Sequence, residues 1–370
     1  MDFWTALILL SAAGIAWALV GGISRLWLSP LSKFPGPKFT ALTLWNEFYW
    51  DVVKRGSFIW KIQEMHDQYG PIVRINPYEL HIRDADFYNE LYASSRRMDK
   101  YEWWTQMAGS PGSGFSTISH DLHRQRRGAL NNFFSARSVA QLEPMIQAKI
   151  DKLLGRLERV ASTGEVLRLD AAFMALTTDI ISEYAFSNAM GCLDQPDFEL
   201  GLAWKRTILG AFEGGTISRQ FPWMLPLMQR LPLSVVAALN PAAAYLFKWQ
   251  EKVKQQVAPI LDRTDEKSAG GGGDKPGRTI FHTLRDSDLP AEERTLERLC
   301  DEGNILIGAG SETVAQTLTR LCFYLRHVPS VLVKLREELD RESPARGENQ
   351  LAGLQQLPYL VNPRLRLQFL

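Results

Sequence analysis

Cysteine is scarce in this chain: three thiols, Cys192, Cys300 and Cys322, in 370 residues. The set is odd and shows no paired spacing, which argues for reduced thiols and excludes a disulfide framework or a zinc site. An excess of one charge is also missing. With 42 basic and 41 acidic side chains and a formal net charge of +1, the chain offers a polyanion nothing to bind, so nucleic acid is excluded as a partner class. There is no internal repeat. The run Gly270 to Gly273 lacks any phosphate-loop surroundings, so 267–277 reads as a low-complexity surface loop without a nucleotide role. What is present is apolar bulk. At 45% hydrophobic and 11% aromatic residues, the chain can bury one large core or two modest ones.

The apolar content is concentrated first at the start. Phe3 to Ser24 is a run of 22 uncharged, mostly apolar residues, which as a helix spans roughly 33 Å against a bilayer core of about 30 Å. Trp4 and Trp27 bracket it, Asp2 precedes it, and Arg25 and Lys33 follow it. The positive-inside bias therefore predicts a single-pass anchor over residues 1–28 with the body in the cytoplasm. A cleaved signal peptide would carry a shorter apolar region after a basic segment. Pro30, Pro35, Gly36 and Pro37 then predict a stiff, non-helical hinge over 29–39, because proline fixes φ and removes amide donors.

Further along, Phe58–Tyr69 has helical periodicity that Gly70 and Pro71 stop. Residues 72–75 and 79–83 read as two short strands joined through Asn76 and Pro77. Ser94–Ser119, rich in glycine, has the length of a loop that lines a binding site. His123 to Arg127 places four arginine or histidine cations in five positions. Such a run is read first as a solvated helix face. Amphipathic helices are predicted at Ser138–Arg159, Leu169–Phe186, Leu202–Phe212, Pro241 to about Arg263 and Pro329–Arg341. Phe221–Pro232 is read as a hydrophobic loop.

The centre of the chain is the stretch Leu299–Leu325, proline-free and helical in period. Gly308 and Gly310 each cost roughly 1 kcal/mol relative to alanine inside a helix. Such glycines let another body approach the backbone or let the helix open locally. Directly after them come an acid and an alcohol, Glu312 and Thr313, among apolar neighbours. This pair suits the passing of protons into a dry pocket. A buried helix with packing glycines and a solvent-facing polar pair would show the same letters.

The run Ala309-Gly310-Ser311-Glu312-Thr313 resembles the oxygen-binding motif of the haem-thiolate monooxygenases, the cytochrome P-450 superfamily. The hinge Phe34-Pro35-Gly36-Pro37, the turn Tyr69-Gly70-Pro71-Ile72 and the lead-in Leu357-Pro358-Tyr359-Leu360 resemble that family in the same order, in its filamentous-fungal, secondary-metabolism branch. The resemblance implies a mainly α fold with a small β-sheet (α+β), behind an N-terminal transmembrane helix. It implies haem as cofactor, NADPH as electron source through a cytochrome P-450 reductase, an apolar small-molecule substrate and the endoplasmic reticulum membrane. By resemblance Glu312 and Thr313 are catalytic, Ala309 and Gly310 lie against the cofactor, and Arg127 with His123 holds a haem propionate. Here His123 stands where the family more often has tryptophan. Arg124 and Arg126 are read as facing a negatively charged redox partner.

After Leu360 the resemblance stops. The family expects a helix with a Glu-x-x-Arg pair and a loop carrying the axial cysteine, and none of the three cysteines has that context. The expectation is therefore an incomplete monooxygenase domain over 40–360 with a divergent tail, 361–370, and a C-terminally truncated chain that lacks the axial ligand and is inactive as written. The other reading is a non-catalytic, membrane-anchored helical protein that binds a lipid or a protein partner.

Overall fold

The computed structural model describes residues 2–93, 96–262, 279–342 and 350–361. The glycine-rich loop at 267–277 and all but the first residue of the tail at 361–370 lie outside the described residues. The chain is mainly α-helical with one two-stranded sheet, as the sequence implies, and divides into two compact units. One comprises Met1–Met98 with Phe212–Pro226, the other Asp99–Ala211 with Leu227–Leu370.

The first unit begins with helix α1, Phe3–Ile23, which continues through a wider turn to Leu28. Over Phe3–Leu28, 26 residues, it is long and apolar enough to cross a membrane. None of the residues of α1 is buried. Helix α2, Phe58–Tyr69, ends at Gly70, whose φ of +95° only glycine adopts without strain. Strands β1, Ile72–Arg74, and β2, Leu80–Ile82, pair antiparallel with Ile72 opposite Ile82. Phe58, Ile62 and Met65 at helical spacing meet Val73 and Ile75 to form this unit's core. His66 is buried and joins the helix to the sheet. Its Nδ1 lies 2.7 Å from the Gly70 carbonyl and its Nε2 2.7 Å from His81 Nδ1. A carbonyl only accepts, so His66 carries its proton on Nδ1 and His81 donates from its own Nδ1.

In the second unit the helices of ten or more residues are α3, His120–Leu130; α4, Glu143–Thr163; α5, Leu169–Phe186; α6, Glu199–Gln220, of which the part to Ala211 belongs here; α7, Pro241–Asp262; α8, Leu296–His327; and α9, Pro329–Glu342. Helix α6 is longer than the sequence suggests, and the segment expected as a plain loop at 221–232 contains a short helix, Met224–Gln229.

Helix α8 starts where Thr295 caps it, its side chain accepting from the Arg298 amide, with Glu297 in the first turn and Arg326 and His327 in the last. It is continuous through its glycines. Gly310 instead marks a close approach of α5: a Cβ there would stand 2.6 Å from Ile181 Cγ1. Around α8 the core gathers Met174, Phe186, Trp249, Val253, Phe281 and Ile307, all buried. Each such large side chain contributes about 1.5–3 kcal/mol by leaving water. Trp204 and Trp249 stack face to face, with ring centroids 4.1 Å apart and planes 13° apart.

Candidate active site

The acid and alcohol sit midway along α8 and face different surroundings. Glu312 is half-buried and Thr313 is exposed, as are Ala309 and Val314 beside it. Burial raises the Glu312 pKa above the usual carboxyl range; Lys205 opposes the rise and Asp170 adds to it. Glu312 Oε2 is buried without a hydrogen-bond partner among the described residues. Lys205 and Asp170 form an ion pair at 2.9 Å, and Arg168 joins the same carboxylate at 2.9 Å. Lys205 and Asp170, which act on the acid, are not visible in the motif. Thr313 Oγ1 donates to the Ala309 carbonyl, 2.8 Å away, one turn back along the helix. The motif's variable residue, Ser311, is fully buried and structural. Its hydroxyl donates to the Ile307 carbonyl at 2.7 Å and accepts from Trp204 Nε1 at 3.0 Å. Its carbonyl accepts from Thr177 at 3.0 Å.

The cation run on α3 separates by helical phase. Arg127 is exposed, has no carboxylate partner among the described residues and lies over the Phe134 ring at 5.7 Å. His123 is half-buried, and burial with the nearby charges of Lys100, Arg127 and His120 holds its pKa below the ordinary value. Glu302 opposes that shift, so His123 stands near the N-terminal part of α8. Glu302 precedes Glu312 by ten residues, roughly 15 Å along a helix axis.

Arg126 does not face outward as expected. It is buried and forms a two-pronged pair with Glu293, Nε to Oε2 at 2.6 Å and Nη2 to Oε1 at 2.8 Å, while Nη1 donates to Thr117 at 2.8 Å. Those bonds hold Glu293 below the usual carboxylate range. The pair continues through Arg298 to Glu302, at 3.3 Å and 2.9 Å. Glu302 accepts from the Gly114 amide at 3.0 Å and Asp301 from the Gly112 amide at 2.7 Å. The long loop before α3 is thus fastened to α8 by two carboxylates. The hint in the sequence was that Arg126 falls at helical spacing between Leu122 and Leu130.

A profile of the Cytochrome P450 family matches residues 37–362. The chain belongs to that family. A cytochrome P450 monooxygenase, MO6277, of Ascocoryne sarcoides is 43% identical over 94% of this chain and 69% of its own length. A tryptophan 6-hydroxylase, fscE, of Fusarium equiseti is 43% identical over 94% and 68%. A conidiogenone synthase, PchP450, of Penicillium rubens is 45% identical over 93% and 68%. As a cytochrome P450 the chain is a monooxygenase by family, with haem as the implied cofactor. Arg127 fits a haem propionate in its chemistry, as an exposed cation with no carboxylate partner among the described residues. Burial pushes the Cys300 thiol up to about 11 and also raises Cys192 and Cys322.

Proposed function

We propose that the protein is a haem-dependent monooxygenase of the endoplasmic reticulum membrane, held by residues 1–28 with its body in the cytoplasm. It inserts one oxygen atom from dioxygen into an apolar small molecule of secondary metabolism, with electrons from NADPH delivered through a cytochrome P450 reductase. The observation that carries this reading is the Glu312–Thr313 pair on α8, a half-buried acid whose proton affinity burial raises, next to the exposed Thr313.

Haem, when bound, supplies the activation of dioxygen. Arg127 offers a propionate the planar fork of donors that matches a carboxylate, and His123, kept neutral, donates one N–H beside it. Ala309 keeps the face of α8 next to Thr313 shallow, and Gly310 sets the position of that face by seating the helix on Ile181. Glu312 carries a proton at a pH where an ordinary carboxyl has lost it. The Thr313 hydroxyl rotates from the Ala309 carbonyl to pass a proton on. The activities named for the relatives, a tryptophan 6-hydroxylase and a conidiogenone synthase, differ from each other, so they support the reaction class and leave the substrate to chemistry: an apolar molecule.

Titration of haem into the purified chain, followed by absorbance, tests the propionate assignment. Saturable binding is expected, with Arg127→Ala weakening it about tenfold, the loss of one charge-assisted contact, at unchanged Tm. Equal affinity in the variant and the wild type sinks the assignment.

A further inference from the structure

A cavity of about 190 Å³ lies at the foot of α1, with Trp27, Ser32, Phe34, Gly36, Lys38 and Arg74 in its lining. With about 30 Å³ per water in the liquid, it has room for a small polyatomic anion and some waters. Its lining includes two cations and no carboxylate. Arg74 is 3% exposed. Two of its donors go to main-chain carbonyls, Nη1 to Arg25 and Nη2 to Pro77, both at 2.8 Å. Its Nε is buried with no partner among the described residues. Burial and the charge of Arg25 hold the guanidinium below its usual pKa, yet arginine stays cationic in proteins. A buried cation answered only by carbonyls is costly unless a counter-charge arrives. The contrast is Arg126, for which the fold supplies Glu293.

The hinge is strapped to this spot. The Arg74 amide donates to the Pro35 carbonyl at 2.8 Å. Gly36 lies so close that a Cβ there would stand 2.5 Å from the Arg74 carbonyl oxygen. Trp27 is 66% exposed at the end of the apolar helix, where aromatic side chains meet a bilayer interface, and basic residues at that level attract anionic headgroups.

We propose that this cavity is a phosphate-binding site, with Arg74 and Lys38 as its cationic contacts and the headgroup of an anionic phospholipid as its ligand. The lipid source rests on the anchor reading of residues 1–28; the phosphate chemistry does not.

The full chain in detergent, exposed to phosphatidic acid or phosphatidylcholine and examined by native mass spectrometry, provides the test. One retained phosphatidic acid per chain is expected, with little phosphatidylcholine. Arg74→Gln lowers that occupancy at least about tenfold, the loss of a charge-assisted contact. Should Arg74→Gln misfold, Lys38→Glu at an exposed position lowers occupancy several-fold with Tm unchanged. A saturable rise in Tm with inorganic phosphate, abolished by Lys38→Glu, with no selective lipid retention, upholds the site with a soluble phosphate as its source. Equal retention of the two lipids with no phosphate-dependent rise overturns the proposal, as does wild-type binding in Lys38→Glu together with a folded Arg74→Gln. If the chain fails to float with vesicles while phosphate still raises Tm, the anchor reading falls and the site stands.

Discussion

Arg126 and Arg127 are adjacent in the chain and opposite in circumstance. One is buried on Glu293, the other exposed over Phe134. Removing one member of a buried pair leaves an uncompensated charge and costs about 3–5 kcal/mol, whereas surface substitutions stay within about 0.5 kcal/mol. Arg126→Ala is therefore expected to lower urea-unfolding stability by several kcal/mol and Arg127→Ala hardly at all; comparable losses in both would refute the division. The sequence showed four cations in five positions and a family spacing that favoured Arg127. It did not show that Arg126 was taken, because Glu293 is 167 residues away and only the fold brings the two together. Glu312 and Thr313 were legible as a pair, since an acid and an alcohol stand out in an apolar helix. Lys205 and Asp170, which shape the acid's proton affinity, come from other elements and carried no local signal.

At the scale of the element, α8 was legible almost to its ends from period and lack of proline, and its two middle glycines have separate explanations. Gly308 has nothing within 4 Å of a Cβ, while at Gly310 the Cβ would meet Ile181 Cγ1 at 2.6 Å and Cβ at 3.1 Å. Alanine gains about 0.5–1 kcal/mol over glycine within a helix. Overpacking a close contact costs about 1–3 kcal/mol, and Ile181 is stiff at Cβ. Gly308→Ala is expected to raise Tm and Gly310→Ala to lower it. A stabilised Gly310→Ala would mean that α5 does not seat on α8 at this point. Glycines inside a helix point to a close approach; that the approaching body is α5 required packing, since the Ile181 side chain gives no sign of its partner. The short helix at Met224–Gln229 was hidden by the prolines around it, which read locally as a loop.

For the molecule as a whole, two histidines weaken stability on the acid side, while carboxyls with a raised pKa such as Glu312 act in the opposite direction. Burial and the neighbouring His66 hold His81 below its ordinary 6.5, and His123 is depressed as well. At these two sites the unfolded chain binds protons more readily than the folded one. Their contribution is fully present above pH 6.5 and is lost as pH falls toward and through the folded values. Between neutral pH and about pH 5, Tm is expected to fall less, or rise more, in His81→Gln than in the wild type; an identical pH dependence in that variant would remove His81 from the account.

The stacked indoles of Trp204 and Trp249 carry a practical consequence. Of eleven tryptophans, these two lie flat against each other at 4.1 Å, close enough for their electronic transitions to couple. That coupling gives the folded chain an exciton couplet in circular dichroism, a built-in optical gauge of whether α6 and α7 remain docked. Trp204→Phe would silence the gauge while leaving the remaining tryptophan fluorescence to report on everything else.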